Sequence, residues 1–519
     1  MSAPTRREFL TTSSRLTGAF AAGLARADER RSKPPASPVS ASDIVRLDAL
    51  ALSHAIHGKR VSCREVMTAF LQHINRVNPR VNAIVSLQDP DDLLKQAGER
   101  DAQLARGESS GWMHGFPHAV KDLAATKGIR TSGGSPLLDA VPDYDAYFVE
   151  RLRAAGVIVI GKTNSPEFGL GSQTYNTIFG TTLNAYDQTK TSGGSSGGAA
   201  VALALSMLPV ADGSDMMGSL RNPAAFNNVI GFRPSYGRVA SGPDEHAFVE
   251  QLSAAGPMGR SVQDVAMLLS VMAGPDRRAP FSIEQDPKIF TQPLARDFKG
   301  TRIAWLGDFG RHLSIEPGVL DLCRGAFTAF ESLGCTIDEA RPDYAPDRLW
   351  DVWLTLRHWL IAGSLSALYA DPVKRAQMKP EAQWEVEGGL SLSARDAYTA
   401  SVGRAAWFGA LNRLFQRYDY LLVPSAQVFP FDATVHWPRV VNGVTMDTYH
   451  RWMEVVIGAT LAGCPAISVP VGFSASGLPM GLQIVGPHHA DLAVLQLAHA
   501  YEQATNWVRD HPPSLIATG

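Results

Sequence analysis

Apolar residues fall at two alternating spacings along this chain. Behind "SCRE", where Ser62 and Glu65 have the form of a capping box, Val66, Met67, Phe70, Leu71 and Ile74 recur at three- and four-residue steps. That spacing predicts a helix over 62–77. A more polar helix is predicted over 91–107, "DDLLKQAGERDAQLARG". "GFPHAVKD", 115–122, is a short apolar run ending on a lysine and reads as a strand. "FVERLRAAGVIVIGKTN", 148–164, reads as a helix, a glycine turn and a β-branched strand. The Gly- and Ala-rich region 195–275 holds one buried-looking helix, "GGAAVALALSML". Residues 301–340 repeat strand, helix and strand as "TRIAWLGD", "GVLDLCRGAFTAFESLG" and "CTIDEA". Long helices are predicted over roughly 346–371 and 393–416, strands over 418–426, 465–473 and 477–487, and a closing helix at "ADLAVLQLAHAYEQA".

Alternation of this kind over the whole length predicts an α/β fold, with a central mixed, partly parallel β-sheet covered by helices on both faces. No internal repeat and no strong linker interrupts it after residue 42.

Composition narrows the partners. The 519 residues are 45% hydrophobic and 19% charged, enough to bury a large core. Net charge is -2 with no long charge run, so nucleic acid is not the expected partner. Cys63, Cys323, Cys335 and Cys464 are scattered, with no C-x-x-C and no zinc spacing, and read as isolated buried thiols. Cys323 and Cys335 alone lie near enough in sequence to raise the question of a disulfide. No stretch after the N-terminus has the ~18 apolar residues of a membrane span. At that N-terminus, "TRREFL" sets two arginines before a weakly apolar run that ends in Ala25-Arg26-Ala27. This resembles a twin-arginine export signal over 1–27, followed by a polar linker over 28–42. The expected location is periplasmic or secreted, and cytoplasmic if that signal does not function.

"KTSGGSSGG", 190–198, admits three readings: linker, phosphate loop or seat of a serine nucleophile. Its apolar neighbours argue against a linker, and it lacks the G-x-x-x-x-G-K-[ST] lysine of a phosphate loop. "GGSSG" fits the G-x-S-x-G elbow with Ser195 as nucleophile and His488, His489 or His499 as base, but no HGGG-type loop accompanies it. "ADGSDMMGSLRNPA", 211–224, offers a second glycine-flanked serine, Ser219. Lys121 ends an apolar strand, where desolvation would lower its pKa from ~10.4 and free a neutral amine as base.

These elements occur together in an extended resemblance. "GFPHAVKDLAATKGIRTSGGS" (115–135), "VIGKTNSPEFG" (159–169), the run from "GGSSGGAAVALA" to "GSLRNPAAFNNVIGFRPSYGRV" (193–239), "GPMGRSVQDVAMLL" (256–269) and "AGCPAISVPVGFSASGLPMGLQIVG" (462–486) stand in order. The chain resembles the amidase signature family, serine hydrolases with a Ser–cis-Ser–Lys triad. The resemblance implies one amidase domain over 43–510, with a catalytic core at roughly 110–275 and pocket-shaping elements over 276–450. It implies hydrolysis of a carboxylic amide to an acid plus ammonia or an amine. Ser219 would be the nucleophile, Ser195 the relay after a cis Gly194-Ser195 peptide, and Lys121 the base. Backbone N–H groups of Met216, Met217, Gly218 and Ser219 would form the oxyanion hole. Ser196 would hydrogen-bond Lys121, Asp215 and Arg221 would pair across the loop, and Gly193, Gly194, Gly197 and Gly198 would allow sharp turns and close substrate approach. Neither metal nor cofactor is implied; the partner is a small-molecule amide, and a homodimer stays open. Met217 departs from the pattern, which has two glycines before the nucleophile. Residues 448–456, Phe168 and Tyr175 are candidates for lining the pocket. Two alternatives come with the resemblance: a glutaminase-type subunit of a transfer-RNA-dependent amidotransferase, and a non-catalytic relative.

Overall fold

Ser62 accepts a hydrogen bond from the Glu65 amide while the Glu65 carboxylate accepts one from the Ser62 amide, closing the capping box that starts helix Cys63–Val77. The structure, a computed structural model, describes residues 40–243 and 246–517. The expected export signal and the linker up to residue 39 lie outside the described residues; a first helix starts at Ala41.

Among the described residues, eleven strands build the two larger sheets. β1 (Ile84–Val85), β2 (Pro117–Lys121) and β3 (Ile158–Thr163) form the smaller of them in the order β1-β3-β2. β2 and β3 are parallel, and helix Tyr147–Ala154 lies between them in the chain. β4 (Ala211–Asp215), β5 (Ile230–Arg233), β6 (Ala254–Gly259), β7 (Arg302–Trp305), β8 (Thr336–Glu339), β9 (Tyr420–Pro424), β10 (Ala466–Phe473) and β11 (Pro479–Val485) form the other. Its order is β8-β7-β9-β11-β10-β5-β6-β4. β7 runs parallel to β8 and β9 and the remaining pairs are antiparallel, so the sheet is mixed and partly parallel, with helices packed against it.

β2 is an outer strand of the small sheet and β4 an outer strand of the large one, and these two edges lie against each other. An exposed edge would leave backbone donors unpaired. Here the Asp212 carboxylate, on β4, accepts the N–H of Lys121 at 3.1 Å and bridges the seam.

Two details depart from the sequence reading. The helix expected over 318–334 is two, Val319–Gly325 and Phe327–Ser332, separated where Ala326 N–H bonds back three residues to Cys323. An additional helix, Pro380–Leu390, lies between the two long ones. All four cysteines are buried and free, in line with their reading as isolated buried thiols, and Cys323 and Cys335 are not bonded. Among the described residues no helix is long and apolar enough to cross a membrane.

Candidate active site

Lys121 ends β2, whose five residues are all buried, and it is itself 1% exposed. Removing an ammonium from water disfavours its charged form. Burial brings the Lys121 pKa down to about 7, against an upward pull from Asp215 and Asp212. Its Nζ donates to Ser195 Oγ and Ser196 Oγ, both at 2.8 Å, and to Ser214 Oγ at 3.1 Å.

The glycine–serine stretch that presents Ser195 and Ser196 is tightly held. Thr174 Oγ1 donates to Gly193 O at 2.9 Å, Ser172 Oγ to Gly194 O at 3.0 Å and Asn227 Nδ2 to Ser192 O at 2.8 Å. The Gly194-Ser195 peptide is cis. A Cβ on Gly197 would lie 2.3 Å from Thr174 Oγ1, and one on Gly198 would lie 2.4 Å from the Asn164 nitrogen. At these two positions, then, glycine lets one chain segment pack on another. Close approach of substrate is not what they provide, contrary to expectation.

β4 delivers the other serine. After Asp215 the chain turns through 216–220, with Gly218 at φ 80. Asp215 governs that turn: Oδ1 accepts from the Gly218 amide at 2.9 Å and Oδ2 from the Leu220 amide at 3.1 Å. Arg221 clamps the same carboxylate through Nε at 2.9 Å and Nη2 at 2.8 Å. Burial alone would raise the Asp215 pKa, but Arg221 and Arg233 hold it well below the usual carboxylate range. Arg221 Nη1 donates onward to Gln483 Oε1 at 2.6 Å and Val456 O at 2.9 Å, which ties the turn to β11.

The oxyanion-hole expectation is corrected at one residue. The Gly218 amide is already spent on Asp215, so it does not point at substrate. Among the described residues, no backbone or side-chain acceptor takes the N–H of Met216, Met217 or Ser219. Met217 itself is not in the left-handed region, so the side chain carries no backbone strain there. It is 3% exposed and borders the cavity that holds Ser219.

Ser195, Ser214, Met216, Met217 and Ser219 line one cavity of about 80 Å³. Phe168 and Met453 line it too, whereas Tyr175 lies in a neighbouring recess and stacks on His436. Arg357 also faces this cavity, and the sequence reading missed it. Its guanidinium is held by Glu385 and donates to the Tyr449 hydroxyl at 2.6 Å, while Nη1 reaches Met216 Sδ at 3.5 Å. An arginine in a 25-residue helix reads as a surface residue until tertiary packing encloses it.

The histidines of the elbow reading lie elsewhere. His488 packs on Phe408, the His489 amide donates to Ser235 Oγ, and His499 sits beside Glu502. Among the described residues, no hydrogen bond joins any of the three to Ser195 or Ser219.

A model of the amidase family matches residues 65–495. An acylamidase of Rhodococcus erythropolis is 33% identical over 473 residues, spanning 90% of this chain and 97% of that protein. A glutamyl-tRNA(Gln) amidotransferase subunit from Alkaliphilus metalliredigens is 32% identical over 481 residues, spanning 88% and 95% respectively. Among solved structures, a bacterial aryl acylamidase of the amidase signature enzymes superposes with a TM-score of 0.81 at 29% identity, over 91% of this chain and 98% of that one. A 6-aminohexanoate cyclic dimer hydrolase superposes with a TM-score of 0.80 at 25% identity, over 91% and 99%. The chain belongs to the amidase signature family and is a hydrolase of carboxylic amide bonds.

Proposed function

We propose that Ser219 is the nucleophile and Lys121 the base, with Ser195 passing the proton between them. The observation that carries this is the buried Lys121 amine, 2.8 Å from Ser195 Oγ, in a site whose cavity also holds Ser219. With Lys121 neutral, the Ser195 hydroxyl donates into its lone pair and can accept the Ser219 proton. Ser219 Oγ then attacks the amide carbonyl carbon, and the proton moves through Ser195 to Lys121. The carbonyl oxygen becomes an oxyanion that accepts from the free amides of Met216, Met217 and Ser219; one such donor contributes about 3–4 kcal/mol in comparable sites. Collapse breaks the C–N bond, and the relay runs backwards to protonate the leaving nitrogen. Water then releases the acid from Ser219.

A fluorophosphonate probe tests this without knowledge of the substrate. It is expected to label Ser219, and to label nothing in Ser219→Ala. The reactive form has Lys121 neutral, so labelling should be slow below about pH 7 and rise through it. A folded protein that stays unlabelled across that range would sink the reading.

The amidotransferase relatives support a second reading, a glutaminase-type subunit that works beside charged transfer RNA. The twin arginines Arg6 and Arg7 favour the first, an exported amidase acting on a small amide. Changing Arg6→Lys and Arg7→Lys together should retain the protein in the cytoplasm, followed by cell fractionation. Identical fractionation of parent and variant would remove the export argument.

A further inference from the structure

A second buried pair lies beside Lys121 and is not used in the relay. His118 Nε2 and Asp212 Oδ1 are 2.8 Å apart, and both side chains are fully buried. The other oxygen of Asp212 accepts the Lys121 amide across the seam between the sheets. We propose that Asp212 is a positioning residue that sets the proton affinity of Lys121, with a neutral His118 holding it in place. The proposal rests on Lys121 being the base.

The charge state of the pair follows from hydrogen bonding. Among the described residues, no hydrogen-bond partner meets the buried Nδ1 of His118. An imidazolium would bury an unpaired N–H there, whereas the neutral ring leaves only a bare lone pair, the less costly of the two. The neutral tautomer donates from Nε2 to Asp212, so Asp212 carries a full negative charge that its partner does not cancel.

That distinguishes it from the other charges around Lys121. Asp215, also on β4, is matched by Arg221 from the following helix and Arg233 from β5. Asp122, just past β2, accepts from Ser132 Oγ and feels Lys162 of β3. The segment carrying Ser195 and Ser196 offers only hydroxyls. Among the described residues, no lysine or arginine forms an ion pair with Asp212. Lys162 acts on it only through space, without pairing with it. Unlike Asp215 it is clamped by no guanidinium, and with Asp215 it stabilises the protonated amine that burial disfavours. Lys121 thereby stays basic enough to take the Ser219 proton.

The test reads Ser219 labelling by the fluorophosphonate against pH, on folded protein verified by thermal melting. Asp212→Asn removes the charge but keeps an oxygen for the Lys121 amide. Its acid limb should fall by about one pH unit, the size expected for loss of a nearby opposite charge. His118→Gln keeps an N–H for Asp212 and should leave the limb in place. An unmoved limb in Asp212→Asn overturns the proposal, as does an equal shift in both variants. An upward shift in His118→Gln also overturns it, since an imidazolium would then have been cancelling Asp212. Should Asp212→Asn not fold, Asp212→Ser removes the same charge and is scored identically. Absence of labelling in the parent protein would instead defeat the assignment of Ser219 and Lys121.

Discussion

Lys121→Ala protein is expected to hydrolyse amides about 10²–10⁴-fold more slowly than the parent, the range over which a positioned acid–base group contributes. The loss should be in kcat, because the lysine touches Ser195 and Ser196 and does not line the cavity that holds Ser219. A cavity would remain where the stem packed, so melting must accompany the kinetics. The result separates two chemistries. In a histidine-based hydrolase, replacing His488, His489 and His499 would destroy activity and Lys121→Ala would be tolerated. Here the opposite is expected, and full activity in folded Lys121→Ala would refute the serine–lysine mechanism.

Asp215→Ala should be the most damaging change to stability. It leaves Arg221 and Arg233 buried without their carboxylate and orphans the amides of Gly218 and Leu220. Breaking a buried pair by removing one partner costs about 3–5 kcal/mol. The loss is read as a fall in the denaturant midpoint at constant slope. Asp215→Asn keeps acceptor geometry without charge and should lose less. A change under ~1 kcal/mol in Asp215→Ala would show that the turn does not depend on this clamp.

Where the side chains repeat with a clear period, the fold was readable from the chain itself. The capping box at Ser62, the αβ unit ending in β3 and the strands β9 to β11 all carry strong apolar or β-branched signals. β4 and β6 do not: "ADGSD" and "AAGPMG" have no β-branched residue, and their pairing in the sheet makes them strands. The site was legible in the same uneven way. Lys121, Ser195, Ser196, Asp215, Arg221 and Ser219 were marked by motif, and the structure brings them together. Two things were not marked. Gly218 lends its amide to Asp215, a direction that composition cannot show. Arg357 and Asp212 are distant in sequence from the residues they touch, so nothing local announces them.

The seam between β2 and β4 has a consequence for how the base comes into being. A segment ending before residue 211 would contain Lys121 yet lack Ser214, Asp212 and the turn that carries Ser219. In such a chain the amine would stay in water and titrate near ~10.4 like any other lysine. Reactivity therefore arises when the two sheets dock, and it would be among the first properties lost if they separated while each still kept its own strands.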